Sequence, residues 1–96
     1  MACIKIDLDS KKDYLLEKFA KRLQMLCTVY NFESLHINES RHGYHIRLEC
    51  AEKLKDYEIL SMQLFLLSDY RREFFNLRRI KAGSRLWNVL FRNTEM

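Results

Sequence analysis

The fold is indicated first by residues 34–49, which read SLHINESRHGYHIRLE. Apolar Leu35 and Ile37 alternate with polar neighbours, and after a polar turn that contains Gly43 the alternation resumes from Tyr44 to Glu49. A period of two on both sides of a short turn is typical of a β-hairpin. These residues are therefore predicted to form two antiparallel strands of one sheet.

Upstream of the hairpin, the sequence predicts a strand and then a helix. Residues 2–9 place Ile4, Ile6 and Leu8 on one side and polar residues on the other, as in a half-buried strand. Large apolar residues then recur at helical spacing over residues 15–30. The chain therefore begins β then α.

Downstream of the hairpin, a helical pattern covers residues 56–83, with Gly83 as its terminator. The pattern leaves open whether this segment is one bent helix or two, since Ser68 or Asp69 can cap a second helix. Residues 86–91 alternate again and are predicted to form a last strand.

The order β-α-β-β-α-β predicts an α+β fold of the ferredoxin-like type, the topology that RNA-recognition domains share. In it, a four-stranded antiparallel sheet carries the helices on one face, and the first and third strands are central neighbours. The 96 residues suit a single domain, 1–96. Two large aromatic residues of the second helical segment, Phe74 and Phe75, are predicted to pack in the core, and the alternative is a dimer contact.

The other face of this sheet is predicted to be open and polar. Two carboxylates, Asp7 and Asp9, point the same way from the first strand, with roots about 6.5–7 Å apart. Such a pair beside an imidazole, His45, suits a hard divalent cation and phosphoryl chemistry. The alternative is a solvated face whose charges pair across strands. The predicted polar set is Lys5, Asp7, Asp9, Ser34, His36, Asn38, His45, Arg47, Glu49 and Asn88.

Two of these segments resemble motifs of a known family. Residues 4–9 resemble the Asp-x-Asp strand motif of archaeo-eukaryotic primases and of the related polymerase domains of bacterial end-joining ligases. Residues 41–46 resemble the second motif of that family, a small residue, any residue, then histidine. The resemblance implies that Asp7 and Asp9 bind Mg²⁺ or Mn²⁺ and that His45 contacts the phosphates of a nucleotide, which makes these three the catalytic candidates. At the position of the third acidic motif this chain has Asn88, a poorer metal ligand.

Positive charge is concentrated near the C-terminus. Residues 71–96 hold seven basic side chains and two acidic ones, whereas residues 1–70 hold ten basic and eleven acidic ones. Such asymmetry is typical of proteins that bind a phosphate-bearing partner, either nucleic acid or a nucleotide. The predicted nucleic-acid-binding residues are Arg47, Arg71, Arg72, Arg78, Arg79, Lys81 and Arg85.

The N-terminus has no pattern of a signal peptide, and no stretch is apolar enough for a membrane span, so the protein is expected in the cytoplasm, without membrane contact. Two hypotheses follow. One is a small nucleic-acid- or nucleotide-binding protein with a primase-like metal site, intact or degenerate. The other is a non-catalytic ferredoxin-like binding or dimerisation protein, similar to small proteins of archaeal viruses and plasmids, which forms a homodimer through an edge strand or the basic helix.

Overall fold

The computed structural model describes residues 2–88 and contains three strands and three helices in that range. The strands are β1 (Ala2–Leu8), β2 (Phe32–Glu39) and β3 (Tyr44–Cys50). The helices are α1 (Asp13–Cys27), α2 (Asp56–Phe65) and α3 (Tyr70–Lys81). The fold is therefore α+β, as the alternation of sequence periods predicts.

The three strands form an antiparallel sheet in the order β1-β3-β2. The predicted hairpin is confirmed, and so is the antiparallel pairing of the first and third strands. In register, Ile6 lies opposite Ile46, while Asp7 lies opposite His45. Because directly opposed residues share a face, the predicted division into an apolar and a polar side of the sheet is also correct.

The core lies on the apolar side of the sheet. Ile4, Ile6 and Ile46 are fully buried there, and Phe19 of α1 and the buried side of α2 pack with them. Trp87, beyond α3, joins the same cluster. At the outer strand the cover is incomplete, since Leu35 and Ile37 of β2 remain 46% and 45% exposed.

The predicted last strand is not seen in the residues that the structure describes. Leu86, Trp87 and Asn88 are not in a strand, and residues 89–91 lie outside the described range. Along the outer edge of β1, backbone N–H and C=O groups of residues 3–7 instead form hydrogen bonds with groups of α2, α3 and the segments that flank α3. The bonds join Cys3 O to Asn88, Lys5 N to Gln63, Lys5 O to Arg72, Asp7 N to Ser68 and Asp7 O to the Asp69 N–H.

The helical segment 56–83 consists of two helices. α2 ends before Leu67, whose φ of 70° is in the left-handed region and interrupts the helical path. Asp69 then caps α3, its carboxylate accepting from the Arg71 N–H at 3.4 Å. Gly83, at a φ of 81°, follows the last turn of α3 and confirms the predicted terminator.

The hairpin turn packs against the end of β1. A Cβ on Gly43 would lie 1.7 Å from the Leu8 carbonyl oxygen, so only glycine permits this approach. The Gly43 N–H donates to Ser40 Oγ at 3.1 Å, which holds the turn. The close approach of Gly43 to Leu8 places the turn residues beside the end of β1, the strand that carries Asp7.

Candidate acidic pocket and α3 outer surface

A cavity of about 300 Å³ lies where the end of β1, the hairpin turn and the first turns of α3 meet. We call it the acidic pocket because three of its lining residues are aspartates. It brings together the predicted site residues Asp7, Asp9, His45 and Arg71. Its full lining is Asp7, Asp9, Ser40, His42, His45, Asp69, Arg71 and Phe75.

Inside the pocket, Asp7 and His45 contact each other across the two central strands. His45 Nε2 lies 3.4 Å from Asp7 Oδ1, and the two side chains are only 6% and 14% exposed, respectively. Burial raises the pKa of the Asp7 carboxyl above its ordinary value, and the nearby charges of His45 and Arg72 offset this only in part. The polar face is therefore not open at this end of the sheet, in contrast to the sequence prediction, because residues of α3 help to enclose it.

Asp9 lies beyond the end of β1 and has a different partner. Its Oδ2 is 3.2 Å from Arg71 Nη2, and the Asp69 carboxylate also reaches Arg71, at 3.5 Å. The two aspartates of the predicted metal pair thus have different partners, His45 for Asp7 and Arg71 for Asp9.

The donors in the pocket do not fit a bound divalent cation as they are arranged. Within residues 2–88, no group of three or more His, Cys, Asp and Glu side chains is placed to hold a metal ion. The two carboxylates that a Mg²⁺ or Mn²⁺ ion would use also have other partners, since Asp7 contacts His45 and Asp9 contacts Arg71. We therefore derive no catalytic step through a metal.

Arg72 occupies a different place from the other predicted nucleic-acid-binding residues. Its side chain is fully buried, pairs with Glu73, and donates to Lys5 O at 2.9 Å. Burial lowers the pKa of Arg72, while Glu73 opposes that shift. Arg72 therefore bonds to the edge of β1 and is not available on the surface to bind phosphates.

α3 is oriented with its polar side inwards. Its buried residues are Arg72, Glu73 and Asn76, and the Glu73 carboxylate also accepts from Gln63, Ser68 and Asn76. Its outer side carries Phe74 and Phe75, which are 66% and 50% exposed. The prediction that these phenylalanines belong to the core is wrong, because Arg72, Glu73 and Asn76 take the buried positions of the helix.

The outer side of α3 forms a single patch. A cavity of about 430 Å³ is lined by Arg71, Phe74, Phe75 and Arg78. We call these four residues the α3 outer surface. These residues are spaced i, i+3, i+4 and i+7, so they share one face of the helix. Two of them, Arg71 and Phe75, also line the acidic pocket, which makes the two cavities neighbours.

The remaining predicted basic residues lie at or beyond the C-terminal end of α3 or on the sheet. Arg79 is half-buried and donates to Asn76 at 2.9 Å. Lys81 and Arg85 are exposed beyond it, and Arg47 is exposed on the polar side of β3. The structure thus brings Arg71 and Arg78 together and leaves Arg47 on a separate element.

Sequence analysis missed four lining residues of the acidic pocket as members of one site. Asp69 was recognised as a possible helix cap, and that cap position is what directs it towards Arg71. His42 and Ser40 belong to the hairpin turn, which Gly43 holds against β1. Phe75 gave no signal, since a phenylalanine in a helix is typical of a core residue.

Comparison of the chain with protein-family models, with curated proteins and with solved structures yields no significant match. The primase-like resemblance of residues 4–9 and 41–46 therefore stays a prediction. No helix within residues 2–88 is long and apolar enough to cross a membrane.

Proposed function

We propose that this protein binds nucleic acid through the α3 outer surface and that its primase-like acidic pair is a degenerate site without catalytic activity. The observation that carries the proposal is the inverted orientation of α3. Charged and amide side chains fill its buried side, while two phenylalanines and two arginines face outwards. An exposed patch that combines aromatic rings with cations is typical of surfaces that contact bases and phosphates.

Charge supports the same proposal. Arg71, which also pairs with Asp9, and Arg78 lie at the two ends of the patch. Lys81 at the end of α3 and Arg85 after it extend the positive charge. Basic residues in the last turn also complement the negative end of the helix dipole, so part of this charge has a structural use. That use gives the exposed aromatic neighbours no role, whereas aromatic rings beside cations are typical of surfaces that bind nucleic acid.

Salt dependence of binding tests the proposal. Each phosphate that a cation neutralises releases counterions, so affinity should fall steeply with salt. Replacing Arg78 and Lys81 together by alanine should lower the slope of log affinity against log salt by about 1.4–1.8 if both contact phosphates. The matched control replaces Lys18 and Lys21 of α1, two exposed lysines on another helix. An equal loss of slope in both double variants, or no salt-dependent binding at all, would contradict the proposal.

Metal-dependent nucleotidyl transfer by Asp7, Asp9 and His45 stays a prediction with its own test. A cation that used both aspartates would have to displace Arg71 from Asp9 and His45 from Asp7. Titration with Mn²⁺, followed by electron paramagnetic resonance, measures this directly. The proposed degenerate site predicts equal Mn²⁺ binding by the wild type and by the Asp7→Asn/Asp9→Asn variant. Tight binding that this double variant abolishes would restore the catalytic hypothesis.

A second candidate function is self-association through β2. Within residues 2–88 this strand is the sheet edge opposite β1, and its Leu35 and Ile37 side chains are nearly half exposed. Antiparallel pairing with a second copy about His36 would place Leu35 of each chain opposite Ile37 of the other and bury both. We propose a homodimer on this basis. The topology that supports both candidates, a ferredoxin-like arrangement of the whole chain, is likewise a proposal.

Analytical ultracentrifugation tests the dimer. An Ile37→Lys variant should be monomeric at concentrations at which the wild type dimerises, because a charge on the pairing strand opposes edge-to-edge contact. Leu64→Lys is the control, since Leu64 is exposed to a similar degree, 47%, on α2. A wild type that is monomeric at high concentration would refute the dimer.

A further inference from the structure

Phe74 and Phe75 of α3 are 66% and 50% exposed, whereas the core of the protein buries other large apolar side chains. Burial of a phenylalanine side chain is favourable relative to its exposure to water. Yet α3 buries Arg72, Glu73 and Asn76 instead. Arg72 donates a hydrogen bond to the backbone of β1, and Glu73 accepts hydrogen bonds from Asn76 and from Gln63 of α2. Hydrogen bonds within the protein therefore explain why the polar side of α3 is buried. They do not explain why two phenylalanine rings face outwards.

The two rings lie between cations along the helix. Arg71 precedes them by one turn and Arg78 follows by one turn, and the four side chains line one cavity. Seven residues of helix span about 10.5 Å. Neighbouring phosphates of a stacked strand are about 3.4 Å apart along its axis, so two or three nucleotides fit this length. Bases would lie over the rings while phosphates reach the arginines.

We infer that the α3 outer surface binds single-stranded nucleic acid in preference to duplex, with bases stacked on Phe74 and Phe75; this inference rests on the proposed function. In a duplex the faces of the bases are already stacked on each other and cannot reach a side-chain ring. Base edges in the major groove offer a phenylalanine little beyond contact with the thymine methyl group. Only unpaired bases can use both the rings and the arginines of this surface.

Fluorescence anisotropy with a labelled oligothymidylate of about a dozen nucleotides, and with its duplex, tests the inference at low salt. The wild type should bind the single strand more tightly than the duplex. The Phe74→Leu/Phe75→Leu variant should lose at least about fivefold in single-strand affinity for each stacked base, while duplex affinity changes little. Its salt slope should equal that of the wild type, because stacking releases no counterions.

The control is Tyr14→Leu/Tyr57→Leu, which removes two exposed rings from other helices and should leave affinity unchanged. Unfolding curves from the single tryptophan, Trp87, verify that each variant is folded. Salt-dependent binding that is equal for single strand and duplex, and insensitive to both phenylalanines, would overturn the inference and leave the proposed function standing. Absence of binding to either probe would overturn both. A variant that changes the oligomeric state instead of affinity would assign the rings to a dimer contact and overturn the inference.

Discussion

Replacing Arg72 by methionine should destabilise the protein by about 3–5 kcal/mol, because the Glu73 carboxylate would stay buried without its cation. Both side chains are almost completely buried, at 0% and 1% exposure. Methionine fills a similar length and keeps the helix propensity, so the variant mainly removes the charge and its donors. Gln63, Ser68 and Asn76 would still donate to Glu73. They are neutral, however, and cannot replace the cation.

The loss also reaches the sheet edge. Arg72 donates to Lys5 O at 2.9 Å and to Asn88 Oδ1 at 2.9 Å, and both acceptors would lose this donor. A typical domain is stable by about 5–15 kcal/mol, so the single variant should unfold at much lower urea concentration than the wild type. Equilibrium urea unfolding followed by Trp87 fluorescence measures the difference, since Trp87 is buried in the core.

A double variant separates the charge effect from lost packing. Arg72→Met/Glu73→Gln leaves no uncompensated charge, so it should recover part of the stability that the single variant loses. Arg71→Met is the matched control. The Arg71 guanidinium is exposed, so its loss should change stability little. If the double variant is as unstable as Arg72→Met, or if Arg71→Met is equally harmful, the buried-charge explanation is refuted.

Three further variants test the site and its surroundings. Asp7→Asn should become more stable relative to wild type as pH rises above about 4, because burial raises the folded-state pKa of Asp7 and the unfolded chain therefore releases its proton at lower pH than the folded protein does. A stability difference that stays constant with pH in urea unfolding would contradict this. Gly43→Ala should cost about 1–3 kcal/mol by forcing the turn away from Leu8 O, and an unchanged urea midpoint would show that the turn is not held there. Asn88→Ala should cost about 1–3 kcal/mol through its lost hydrogen bonds near β1, and a neutral effect on thermal unfolding would refute that role.

The sequence by itself determined the three strands of the described range, the helical segments between and after them, and the two sides of the sheet, but not that residues 56–83 form two helices. Alternation with a period of two sets which side of a strand is apolar, and this is why Asp7 and His45 were correctly placed on the same face. The caps of α3 were also predictable, since an Asp side chain before a helix and a Gly after it have local causes.

The last strand could not be decided from the same kind of pattern. Residues 86–91 alternate like a strand, but Asn88 bonds to β1 through its side chain, together with Gln63 and Arg72. Alternation shows that a segment can pair with a sheet edge. It does not show whether the edge is already satisfied by other groups.

Only the tertiary structure decided which side of α3 faces inwards. The rings of Phe74 and Phe75 lie on the outer side of the helix, whereas Arg72, Glu73 and Asn76 lie on its buried side. Hydrophobicity alone predicts that the two phenylalanines are buried. The free backbone groups of β1 instead require donors and acceptors from a neighbouring element, and Arg72 supplies one of them. Because these backbone groups need partners, the side of α3 that carries Arg72 faces inwards and its two phenylalanines face the surface. This orientation depends on a contact between residues that are 67 positions apart in the chain.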